Sequence, residues 1–287
     1  MCKQKKQKRN TPMRDVMKRL RKNRMAMAGL IILVIILLVA ILAPLIIPYP
    51  YDMQDYDSRM VSPNSKHWFG TDNFGRDIFS RILYGSRYTL TIGFGCITIA
   101  CLVGTLLGAV AAYFPKADNL IMRSIDIIMG IPTFMLALSI IVALGSNMKN
   151  LMIALSITSM PTFARVTRAQ VLTIKEQEFI EAARCIGADS RRILMRHIIP
   201  NCLAPIIVQY TLGAVNVILW GASLSFIGMG VQPPIPEWGL MISAGRTYLR
   251  DAWYISIIPG FAIILTTYAL NLLGDGLRDA LDPKLKQ

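Results

Sequence analysis

Acidic side chains are almost missing from the long apolar stretches of this chain, and that scarcity narrows what it can do. Charged residues make up 17% of the 287 positions and hydrophobic ones 54%, whereas a soluble domain carries about a quarter charged residues. The only histidines are His67 and His197, far apart, and the five cysteines (Cys2, Cys96, Cys101, Cys185, Cys202) form no CxxC pair. A Cys/His metal site is therefore not expected. No G-x-x-x-x-G-K-[ST] run is present to cradle a nucleotide phosphate, and neither G-x-S-x-G nor H-E-x-x-H marks a hydrolytic centre. Apart from Asp126, near the end of one apolar segment, the chain lacks the buried relay carboxylates of proton- or sodium-driven carriers. Its Gly/Pro breaks do not fall into matching inverted halves either. The expectation is a protein that is not an enzyme and holds no cofactor or metal. It would draw its energy from a partner; the alternative is a self-contained secondary carrier of small solutes.

What the chain has in abundance is apolar sequence, in runs near the ~20 residues that cross a bilayer. This predicts an all-α polytopic membrane protein with about six transmembrane helices, near 25–47, 88–114, 121–144, 151–166, 204–230 and 255–273. The net charge of +14 is concentrated: eleven of the 31 Lys/Arg precede residue 25, and seven lie between Arg165 and Arg196. Basic residues beside membrane segments stay in the cytoplasm. Without interleaved aromatics, the charge is not a nucleic-acid footprint, so no nucleic-acid partner is expected. With both termini inside, 23 Lys/Arg fall on the cytoplasmic side and eight outside or at an outer edge. The expected location is the cell membrane of a prokaryote.

On this reading 1–24 is a basic tail without apolar periodicity and 25–47 an anchor. Its end, ILAPLIIPYP, lacks the small-residue cleavage site of a signal peptide. Residues 48–85 form an outside loop, 86–275 the transmembrane domain and 276–287 a cytoplasmic tail. Gly104 and Gly108 have the spacing that lets two helices approach closely. Pro132 is expected to kink the third span and Pro161 the fourth, and Asp126 to pair with Arg123 one turn earlier. Pro233, Pro234 and Pro236 argue against regular helix in the last outside loop. Trp68, Trp238 and Trp253 are read as interfacial anchors.

The longest amphipathic segment, residues 175–201, reads KEQEFIEAARCIGADSRRILMRHIIPN. Phe179, Ala182/Ala183 and Ile186 share one helical face. Gly187 interrupts, since glycine takes the left-handed conformation that ends a helix. Asp189 or Ser190 then caps a second helix with Ile193, Leu194 and Ile198 on its apolar side, until Pro200 stops it.

This segment resembles the EAA loop of ABC-importer membrane subunits: E-A-A, three residues, G, nine residues, then I-x-L-P. Glu181, Ala182, Ala183, Gly187 and Pro200 match. His197 stands in place of the isoleucine and Ile199 in place of the leucine. HWFGTDNFGRDIFSRILYGSRYTLTIG, SLSFIGMGVQPPIPEWGLMISAGR and PGFAIILTTYALNLLGDGLRDALDP resemble further blocks of the dipeptide/oligopeptide/nickel permeases. The resemblance implies the second permease subunit of such an importer, with type I ABC importer permease architecture. Its implied partners are a homologous second permease, two cytoplasmic ABC ATPases and an extracytoplasmic substrate-binding protein. It makes 175–201 the ATPase-coupling loop, and leaves the choice among dipeptide, oligopeptide and nickel open.

Overall fold

A lipid interior offers backbone groups no partner but the chain itself, so long apolar segments fold as helices. The computed structural model describes residues 12–281. Among these there is no strand, only an isolated bridge between Thr71 and Asp77. The helices are α1 (Pro12–Lys22), α2 (Arg24–Ile46), α3 (Ile78–Tyr113), α4 (Pro115–Met129), α5 (Thr133–Leu144) and α6 (Met148–Ile174). They continue with α7 (Glu178–Cys185), α8 (Ser190–Ile193), α9 (Ile199–Phe226), α10 (Trp238–Gly245) and α11 (Tyr254–Leu281). Residues 1–11 of the expected basic tail, with Cys2, and 282–287 of the C-terminal one lie outside the described residues. The described part of the basic tail is α1, whose Leu20 is buried.

Among the described residues, four helical stretches are long and apolar enough to cross a membrane: α2, α3, the continuous run from α8 through α9, and α11. The pair α4 and α5, bent by 92°, makes a fifth if it counts as one broken span. The six-span expectation is thus approximate. The difference is α6: it is 27 residues long, but Ser156, Thr158, Ser159 and Thr162 dilute its apolar middle. The 92° turn sits where Pro132 was expected to bend the third span.

The core is built around α3, which packs lengthwise on α6 and touches α9 and α2, while α11 lies against α2, α9 and α10. The α3/α6 approach is set by glycine. A Cβ on Gly104 would stand 2.5 Å from Met160 O, and one on Gly108 would overlap Ala164 O. Both glycines therefore meet backbone directly, as the four-residue spacing implied.

Two charge pairs tie α4 to α6. Arg168 holds Asp118 bidentately, at 2.7 and 2.6 Å, and Arg165 Nη2 lies 2.6 Å from Asp126 Oδ1. The expected Arg123 partner for Asp126 is thus replaced by a residue on another helix. Helix α3 starts ten residues before the expected span, because Asp77 caps it by accepting from Ser80 N at 2.7 Å. The preceding loop is a buried polar cluster. Asp72 takes Arg76 Nε at 2.7 Å, His67 meets Asp77 at 2.9 Å and Arg81 donates to Tyr51 O at 2.8 Å.

Prolines 233, 234 and 236 do not suppress helix beyond themselves: α10 begins at Trp238, capped by Glu237 through Gly239 N and Leu240 N, both at 2.9 Å. Glu237 is 1% exposed. Burial pushes its carboxyl above the usual range, against those two backbone hydrogen bonds. Trp68 and Trp253 are exposed, but Trp238 is not an interfacial anchor. Its ring is buried and donates to Ile82 O at 3.1 Å.

Candidate functional site

Residues 175–201 form a knob between α6 and α9. Helix α7 follows Gln177 and ends in a Schellman turn: Gly187 N reaches Arg184 O at 2.9 Å and Ala188 N reaches Ala183 O at 3.0 Å. Gly187 sits at φ +81, and a Cβ there would meet nothing within 4 Å. Only backbone strain restricts this position. Asp189 caps α8 by accepting from Arg191 N at 2.6 Å.

The two short helices turn Ile180, Ala183, Ile193, Leu194 and Ile198 inward, all buried. The grouping of Phe179 with Ala182, Ala183 and Ile186 is therefore split. Ala183 joins the inner face, because Ile180 three residues earlier already faces the core. Phe179, Ala182 and Ile186 form the outer face, with Phe179 41% and Ile186 85% exposed. Glu181 is exposed beside them and belongs to none of the five ion pairs among the described residues. The knob presents apolar side chains to the outside while a second apolar face anchors it.

Pro200 does not end the second helix. Helix α8 passes through a π-helical turn, Leu194–Ile198, directly into α9. Proline has no N–H to give Arg196 O, and a wider turn absorbs this loss. Ile199 N bonds to Leu194 O, five residues back, and Asn201 Nδ2 covers His197 O at 2.6 Å. Of the matched residues, Glu181, Ala182 and Gly187 thus share the exposed rim. Ala183 is inside, and Pro200 marks the joint to the membrane helix.

Residues 104–287 match the family described as "Binding-protein-dependent transport system inner membrane component". The chain belongs to that family. It is a transport component and not an enzyme, and its multi-pass helices lie in the inner membrane that the family description states. Residues 11–64 of this inner membrane component match "N-terminal TM domain of oligopeptide transport permease C". The dipeptide transport system permease protein DppC of Alkalihalophilus pseudofirmus is 46% identical over 277 residues, covering 96% of this chain and 91% of that one. The glutathione transport system permease protein GsiD of Escherichia coli is 44% identical over 278 residues, covering 96% and 92%. Among solved structures, an inward-facing form of the MetNI methionine ABC transporter shares the fold. Its TM-score is 0.59 at 18% identity, covering 71% of this chain and 98% of that one.

Sequence reasoning found the knob but missed the buried cluster of Asp72, Arg76, Asp77 and Arg81. They lie within the expected outside loop 48–85, where the structure buries all four. The sequence signal was the pair of glycines beside them, Gly70 and Gly75, both of which take positive φ in the structure.

Proposed function

We propose that this inner membrane component is a permease subunit of an ATP-driven peptide importer, with 175–201 as its coupling loop. The reading assigns it a related second permease, two cytoplasmic ATPases docked on the knob and an external binding protein, with both termini in the cytoplasm. The observation that carries the coupling role is the stripe Phe179, Ala182 and Ile186, exposed beside the buried face that Ile180 and Ala183 form. Short helices with apolar anchors at this spacing bind grooves on partner proteins. The sequence carries no P-loop motif, and the reading therefore takes the energy from the ATPases. Peptide as cargo is supported by relatives whose names specify dipeptide and glutathione transport.

Gly187→Arg tests the coupling role. The site has open space, so the variant costs roughly 1–2 kcal/mol of backbone strain and keeps the fold, while a bulky cation stands on the docking rim. The expected result is a complex that loses both import and the ATP hydrolysis stimulated by the loaded binding protein. Import and stimulation at wild-type rates would show that the knob is not the transmission element.

A further inference from the structure

The hydroxyls that make α6 too polar to score as an apolar span are not scattered. Thr158, Ser159 and Thr162 line a cavity of about 290 Å³ together with Gln209, Asn216 and Trp220 of α9. A second cavity, of about 570 Å³, lies towards the knob between Val166 and Gln170 of α6 and Asn201 and Pro205 of α9. Gln209 borders both. Thr158, Thr162, Val166 and Gln170 are spaced by four along α6. Asn201, Pro205, Gln209, Gly213, Asn216 and Trp220 are spaced by three or four along α9. Each set occupies one helical face, so the two cavities form one groove between two helices.

Among the described residues, no Asp, Glu, Lys or Arg lines the smaller cavity, and Arg278 alone of these lines the larger. Thr158 donates to Leu155 O of its own helix at 3.2 Å, as hydroxyls elsewhere in the spans do. Thr266 donates to Ala262 O at 2.8 Å, Thr267 to Ile263 O at 2.9 Å and Thr211 to Val208 O at 2.9 Å. Among the described residues, no other group satisfies the Gln209 and Asn216 amides. Each would cost several kcal/mol against hydrocarbon. Polar groups at this depth face water or a polar occupant.

We propose that Ser159 and Thr162 of α6, with Gln209 and Asn216 of α9, form a neutral hydrogen-bonding rail for the main-chain amides of the transported peptide. This rests on the importer reading above. A carboxamide offers a donor and an acceptor, matching the C=O and N–H of a peptide group, and hydroxyls serve either role. Because the rail carries no formal charge, it holds what all peptides share and does not sort them by side-chain charge.

The test uses the complete importer in proteoliposomes and three tripeptides of net charge −1, 0 and +1. In the double variant Gln209→Leu with Asn216→Leu, uptake of all three falls about tenfold or more, the scale of losing one or two such hydrogen bonds. Co-purification with the second permease and the ATPases is retained. Gln209→Glu keeps a polar side chain of the same size, and its uptake turns charge-selective, with the anionic peptide falling several-fold below the cationic one. A purely structural role would not produce that ranking. Leucine variants importing at the wild-type rate, or a glutamate variant with the wild-type ranking, overturn the rail. So does loss of the second permease from the leucine variant, which makes the groove a subunit interface. Wild-type complex that imports none of the peptides refutes the importer reading itself, and the rail's cargo with it.

Discussion

Ile180 and Ile186 are the same residue type six positions apart, and the structure gives them opposite duties. Ile180 is fully buried and Ile186 is 85% exposed. Truncating Ile180 to alanine leaves a void beneath the knob, and such core truncations cost about 2–5 kcal/mol. Truncating Ile186 removes almost nothing the chain uses, so stability should stay within about 0.5 kcal/mol of wild type. If Ile186 docks into an ATPase groove, the variant loses three carbons of buried surface. At about 0.8 kcal/mol per carbon, scaled by the exposed share, that is about 2 kcal/mol, or roughly a 30-fold weaker complex. The check pairs thermal unfolding of each detergent-purified variant with titration of the ATPase pair onto it. Ile186→Ala should leave the unfolding midpoint in place and weaken docking; Ile180→Ala should lower the midpoint. An Ile186→Ala protein that binds ATPases within twofold of wild type would refute the assignment of the exposed stripe. One that unfolds as early as Ile180→Ala would refute the inside-outside division of the knob.

Two further outcomes follow from other contacts. Gly108→Ala gains about 0.5–1 kcal/mol of helix propensity, but its Cβ overlaps the backbone of Ala164. Forcing α3 and α6 apart costs about 1–3 kcal/mol. The variant should therefore unfold earlier in a detergent denaturation series. Gly260→Ala, whose nearest new neighbour is Ile242 Cδ1 at 3.9 Å, should not, and equal behaviour of the two would discount the close approach. At Glu237, burial raises the carboxyl pKa, so its contribution is fully present below the unfolded pKa and is lost as pH rises through the folded one. The unfolding midpoint of wild type minus that of Glu237→Gln should fall between acidic and neutral pH. A difference that stays flat with pH would mean that the carboxyl is not held towards its neutral form.

The features legible in the sequence are those decided by local chemistry. Gly187 ends α7 and Asp189 caps α8 because each acts on its immediate neighbours, and Gly104 with Gly108 carries its meaning in its spacing. What escaped depends on partners distant in the chain. Asp126 finds Arg165 rather than Arg123 because α4 lies along α6, a fact of packing. Arg81 can be buried in the first turns of α3 only because Tyr51 O and Asp72 receive it. Periodicity placed Phe179, Ala182, Ala183 and Ile186 together, yet which apolar residues turn inward depends on what lies beneath. Ile180, outside that set, decides it. At Pro200 the rule that proline stops helices failed, since a π-helical turn directly ahead of it carries the chain from α8 into α9 without a break.

The connection between knob and groove follows from chain order. Helix α6 enters the knob through Lys175–Gln177, and α9 leaves it without a break, since the run from Ser190 to Phe226 is one 37-residue helical stretch. At 1.5 Å per residue that stretch is about 55 Å long, enough to carry a displacement at one end to Asn216 and Trp220 near the other. The two helices joined to the knob are also the two walls of the polar groove. A shift imposed on the outer face of α7 would reach α6 across Lys175–Gln177, and α9 across the turn at Ile186–Asp189 and then α8. Helix α3 is held to α6 by backbone contact at Gly104 and Gly108. If α7 meets the driving partner as proposed, coupling needs no further relay, because α7 and the two groove walls are neighbours in the chain joined only by short turns.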